Sequence, residues 1–167
     1  KMPDVLHWFK WEAYFTWISG FSLMIIIYYW GAETYLIDKT VLNLTQLEAI
    51  GISVGSFIVS WIVYDRICKA PIGKNDIALS ITVFLLILLA AYGFTHVYSG
   101  RGAFVHVGAM IGTIMVANVF FIIIPNQRIV VKALIEGKEP ASYLGAEGKQ
   151  RSTHNNYLTL PVLLMMI

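Results

Sequence analysis

From Ala103 to Pro125 the chain runs for 23 residues, AFVHVGAMIGTIMVANVFFIIIP, without one Asp, Glu, Lys or Arg. Wound as a helix at ~1.5 Å per residue, the stretch covers the roughly 30 Å hydrocarbon core of a bilayer. A helix is the one open-ended structure that satisfies its own backbone N–H and C=O groups there. The rest of the chain leans the same way: 57% of its 167 residues are hydrophobic and 13% are charged, where soluble domains carry roughly 25% charge.

The expected fold is therefore all-α, a polytopic transmembrane helical bundle forming a single domain. Spans are placed at about 12–31, 47–64, 77–97 and 103–125, with a fifth from 156 to 167 onward. The chain opens at Lys1 and closes at Ile167 inside an apolar run, so it reads as a fragment of a longer domain. Lys1 to Trp11 is amphipathic and Trp-rich, as expected of a segment lying on a membrane surface. Tyr14, Trp17, Tyr28, Tyr29 and Trp30 collar the first span. Gly51, Gly55, Ser56 and Ser60 in the second, with Gly108 and Gly112 in the fourth, offer small-residue faces for close helix packing. Residues 126–154 read as a solvated loop with one amphipathic turn at Ile129 to Ile135, because Gly137, Pro140, Gly145 and Gly148 should break any long helix.

Ten of the twelve Lys and Arg fall in the amino-terminal segment, the second connection and the 126–154 loop. The positive-inside bias puts these, with His7, on the cytoplasmic side and puts His96, Arg101 and His106 at the outer boundary. The lone Cys68 excludes an internal disulfide and any multi-cysteine metal site in this stretch. No basic cluster interleaved with aromatics supports nucleic-acid binding.

Histidine is left to carry metal chemistry. His96 ends the third span and His106 opens the fourth, so the two can face each other as axial ligands of a b-type haem, with Arg101 pairing a propionate. The same pattern equally fits two interfacial imidazoles bonded to backbone, water or lipid. His106, Met110, Thr113 and Ala117 share one helix face. Asn118, deeper and on another face, needs an interhelical hydrogen bond or a substrate. His154, Asn155 and Asn156, preceded by Gln150 and Arg151, concentrate polar groups at the mouth of the fifth span, where a planar polar substrate or a plain helix cap explains them. Asp65 beside Arg66 reads as a boundary pair of little weight.

Three stretches resemble one family, the bacterial membrane-bound urate hydroxylases or urate oxidases. They are HWFKWEAYFTW from His7 with Gly20-Phe21, HVGAMIGTIMVANVFFIIIPNQR from His106 to Arg128, and HNNYLTLPV from His154 to Val162. The resemblance implies a multi-span domain in the bacterial inner membrane, usually followed by a cytochrome c. It implies hydroxylation of urate at C5 to 5-hydroxyisourate with water as the oxygen source, the electrons passing to a cytochrome c domain or protein bearing c-type haem. His154, Asn155 and Asn156 are then the catalytic candidates, and His106, His96 and Arg101 the haem candidates. The CXXCH motif of a cytochrome c does not occur in these 167 residues. The alternative is an anchoring or haem-binding electron-transfer subunit of a respiratory or photosynthetic complex that keeps the fold without the reaction. A transporter has thinner support, since no broken helix pair or mid-membrane carboxylate marks a path.

Overall fold

A computed structural model describes residues 8–166. The amphipathic-surface reading of Lys1 to Trp11 lies mostly outside these residues, and His7 lies wholly outside. Helix α1 (Trp8–Met24) runs into a π-helical stretch, Ile25–Trp30, and a short α2 (Ala32–Tyr35) follows. Then come α3 (Gln46–Lys69), a 3-10 turn (Pro71–Lys74), α4 (Asp76–Thr95) and α5 (Gly100–Ala117). A second π-helical stretch, Asn118–Ile123, joins α5 to α6 (Ile124–Ile135), and α7 (Ser142–Met166) closes the order. No strand occurs among the described residues. Four helical segments are long and apolar enough to cross a membrane: Trp11–Trp30, Gln46–Lys69, Asp76–Thr95 and Gly100–Ile135. The protein is an all-α membrane bundle.

The uncharged stretch from Ala103 to Pro125 forms the bundle's axis. Ala103, His106, Val107, Met110, Ile111, Ile114 and Ala117 are buried at the three- and four-residue spacing of one helix face, and α1, α3, α4 and α7 all pack on α5. Phe15, Ile26, Ile58, Phe84 and Leu89 point away from this core and are exposed. Such an outward apolar surface is stable against acyl chains, not water. The helix starts are written in the sequence: Thr45 and Glu48 form a reciprocal capping box on α3, and the Asn75 side chain accepts from the Ile77 and Ala78 amides at the start of α4. Ser99 ties the two turns at one end together, its hydroxyl donating to the Tyr35 carbonyl at 2.7 Å and its amide to the Leu36 carbonyl at 2.8 Å.

Two expectations give way. The helix does not stop at Pro125 but continues to Ile135, because the π-helical stretch just before the proline re-spaces the backbone where its missing N–H would leave a gap. The 126–154 segment is not a loop. Only residues 136–141 lie outside helix, Gly137 at φ +69° turns the chain there, and Gly145 and Gly148 sit inside α7 without breaking it. Their propensity cost of about 1 kcal/mol each is overridden by the packing of α7 on α5.

The short basic turn between α3 and α4 depends on Gly73. A Cβ there would run into the backbone carbonyl of Cys68, which cannot move without unwinding the end of α3. Gly73→Ala is expected to lower unfolding stability in detergent by about 2–3 kcal/mol; an unchanged melting midpoint would show that the turn relaxes freely.

Candidate functional site

Where α3 ends and the second π-helical stretch begins, side chains from three elements join in one buried polar unit. Helix α7 supplies Arg151, His154 and Asn155, which share a face with the buried Leu158. Helix α3 supplies Tyr64 and Asp65, while Arg66, about 100° further round the helix, is exposed. Asn118 comes from the first position of the π-helical stretch.

Arg151 is fully buried. Its Nη2 donates to Asp65 Oδ1 at 2.7 Å, and its guanidinium lies 5.0 Å from the centroid of the Tyr64 ring. The other Asp65 oxygen accepts from Lys69 at 2.8 Å. A charge held this far from water requires such a partner. Yet among the described residues Arg151 Nε and Nη1 have no hydrogen-bond partner, and neither has Asn118 Oδ1. Tyr64 Oη and His154 Nδ1 are 2.8 Å apart, and Asn118 Nδ2 lies 3.3 Å from Tyr64 Oη and 3.1 Å from Asn155 Oδ1. Asn155 in turn donates to the Met115 carbonyl at 3.0 Å. The Tyr64 hydroxyl can serve Nδ1 as donor or as acceptor; with Tyr64 donating, His154 carries its N–H at Nε2. His154 is held below the ordinary imidazole value of 6.5, first by burial and then by the Arg151 charge, so it is neutral near pH 7.

A second constellation lies toward the other end. His106, with no exposed surface, sits among Tyr28, Tyr29, Phe57, Phe94 and Tyr98, whose ring centroids lie 4.9 to 6.3 Å from its own. Its Nδ1–H donates to the Gly102 carbonyl at 2.7 Å, and its Nε2 is buried without a partner. Two of the hydroxyls nearby are committed elsewhere: Tyr29 pairs with Ser53 at 2.6 Å, and Tyr98 donates to the Ala49 carbonyl at 2.8 Å.

A family model described as urate oxidase N-terminal matches residues 1–167. The chain belongs to the urate oxidase N-terminal family. At family level it is thus a urate-related oxidoreductase domain in a membrane-spanning helical fold. No curated protein and no solved structure matches it.

For a urate oxidase N-terminal domain, the two groups of candidate residues fare differently. His154 and Asn155 are brought together with Asn118, while Asn156 points outward and is exposed. His96, Arg101 and His106 are not brought to one place. His96 is the exposed C-cap residue of α4; its Nδ1 lies 2.9 Å from the Tyr92 carbonyl and its ring packs on Tyr92. Arg101 is exposed one turn before His106 on α5. The unpartnered Nε2 of His106 has the donor chemistry of an axial ligand, but five aromatic rings occupy the space that a flat macrocycle would need. The cage does not fit a haem. Among the described residues, no group of three or more His, Cys, Asp or Glu could hold a metal ion.

Tyr64 and Asp65 were not singled out from the sequence as part of a site, whereas Arg151 was noted beside His154. Arg151, three residues before His154 and so one turn away on the same face, is the signal that pointed to it.

Proposed function

We propose that this domain is a membrane-bound urate hydroxylase working in a bacterial inner membrane, with its polar unit at the Lys/Arg-rich, cytoplasmic end, and that its electrons reach a cytochrome c, fused or separate. The observation that carries this reading is the set of unspent buried polar atoms around Tyr64 and His154. Urate is a flat ring whose edges alternate carbonyl oxygens with N–H groups. Arg151 Nε and Nη1 are donors without acceptors, and Asn118 Oδ1 is an acceptor without a donor. Satisfying them with a ligand recovers part of a penalty of about 1–3 kcal/mol per buried group.

The reaction balances as urate plus water giving 5-hydroxyisourate, two protons and two electrons. Arg151 favours the negative charge on the urate oxygens before and during attack at C5. The Tyr64–His154 pair takes up the proton released as water adds, a task suited to a neutral imidazole. Asn118 and Asn155 hold the plane of the ring by hydrogen bonds.

The test uses the full-length protein in nanodiscs, urate as the reductant and horse-heart cytochrome c as a one-electron dye. Urate-dependent reduction is expected, and His154→Ala should lower its rate by about 100-fold or more. A folded protein that, in nanodiscs of native membrane lipid, neither consumes urate nor reduces cytochrome c would refute the proposal.

A further inference from the structure

Helices α4 and α7 both pack on α5 and leave between themselves a cleft of about 260 Å³. Its walls are Val83, Phe84 and Ile87 on α4 and Leu158 and Pro161 on α7, with His154 at the end nearest the polar unit. Phe84 and Tyr157, 58% and 68% exposed, stand at its outer edge on the surface that faces acyl chains. The cleft therefore opens sideways into lipid.

The lining decides what can enter. Urate would leave most of its carbonyl and N–H groups unpaired against these apolar walls, which disfavours its entry. A phospholipid headgroup would need a cation, and no Lys or Arg lines the cleft. What the walls accept is a neutral, largely apolar molecule with a hydrogen-bonding group at one end. His154 supplies the matching donor: Nδ1 is engaged by Tyr64, and no hydrogen bond to another described residue engages Nε2. On the opposite helix wall Ser80 adds a hydroxyl. Pro161, having no N–H, cannot donate to the Tyr157 carbonyl four residues earlier, so α7 also offers a backbone acceptor beside the cleft. One donor and one acceptor flanking flat apolar walls suit a ring that changes between carbonyl and hydroxyl.

We propose that the α4–α7 cleft binds a lipid-soluble quinone, with His154 Nε2–H donating to a ring carbonyl, and that this quinone takes both electrons from urate before they are passed on singly. The role, though not the binding, rests on the urate reading above. Urate hydroxylation yields two electrons at once, whereas a cytochrome c accepts one. A quinone removes the mismatch: urate, water and quinone give 5-hydroxyisourate and quinol, and the quinol then returns to quinone as it reduces two cytochromes c and releases two protons. The hydrogen-bond chain also carries a proton in the needed direction. His154 gives the Nε2 proton to the quinone oxygen and takes one at Nδ1 from Tyr64, whose hydroxyl is refilled from the substrate side.

The experiment uses the full-length protein in phosphatidylcholine nanodiscs and a photoreactive azidoquinone, without urate, so that loss of urate activity has no bearing on the binding result. Labelling is expected to saturate, to map to peptides containing residues 80–87 and 154–161, and to be competed by decylubiquinone. Val83→Trp, which fills the cleft, should reduce saturable labelling at least 10-fold. Phe84→Ala, at an exposed wall position that the fold does not need, should weaken it several-fold and stands in should Val83→Trp not fold. Labelling that is uncompeted, that maps elsewhere or that is unchanged in Phe84→Ala overturns the site. As a second readout, anaerobic addition of urate with decylubiquinone and no cytochrome c should form one quinol per urate consumed. Urate-driven cytochrome c reduction without saturable quinone labelling would overturn the cleft assignment and leave the urate reading standing, and saturable labelling with no urate oxidation would do the reverse.

Discussion

Asp65→Ala is expected to destabilise the folded domain by about 3–5 kcal/mol, the cost of stranding a buried charge. Arg151 has no exposed surface and, among the described residues, one ion-pair partner, Asp65, at 2.7 Å. Lys69, the other partner of Asp65, loses little, because its side chain is 53% exposed and water replaces the carboxylate. The double variant Asp65→Ala, Arg151→Met should recover most of the loss, since it removes the stranded charge and fills its volume with an apolar chain. Denaturant titration in detergent of the two single variants and the double variant forms the cycle. A cost below about 1 kcal/mol for Asp65→Ala would mean that water reaches Arg151 and that the site is not sealed.

Tyr64→Phe is expected to lower the turnover of urate by about 100-fold with little change in KM, because it removes one hydroxyl and almost no packing. That hydroxyl connects Asn118 to His154. The wild-type pH profile separates a proton-transfer role from a structural one. His154 titrates below 6.5 in the folded protein, so the rate should fall only on the acid side of that value. Stability follows the same sign. The unfolded imidazole gains its proton near 6.5 and the folded one only at lower pH, so the full stability is present above 6.5 and is lost as pH falls from there through the folded pKa. A Tyr64→Phe enzyme with unaltered kcat would remove the hydroxyl from the mechanism.

Much of this architecture could be read from the residues, and the parts that could not have definite physical reasons. Uncharged runs mark the membrane helices because hydrocarbon enforces them without reference to tertiary contacts, so the central span through Ala103 to Pro125 was plain. Asn118 was recognised as needing an interhelical partner and finds two. The pairing of Asp65 was misread because adjacency in sequence suggested Arg66. On a helix, neighbours diverge by about 100°, and the true partner lies 86 positions away on α7. The expected meeting of His96 and His106 rested on their short separation. It does not form because His96, at the C-cap of α4, folds back on Tyr92 while the next turn of α5 sends His106 inward. Residues 126–154 were assigned to a loop from their charge, glycines and proline; Gly137 and Pro140 do mark the break between α6 and α7, whereas Gly145 and Gly148 lie inside a helix that has neighbours to lie against.

The wide turn at Asn118–Ile123 has a bearing on how such a domain can change over generations. A π-helical turn holds one residue more than an ordinary turn, so the stretch takes up an extra residue within itself and the helices on either side keep their packing. Loss of a single codon beyond Asn118 would return the stretch to ordinary pitch and leave α6 facing nearly as it does now, with Asn118 still beside Tyr64 and Asn155. A lineage could thus gain or lose the wide turn by one in-frame insertion or deletion without repacking the bundle around it.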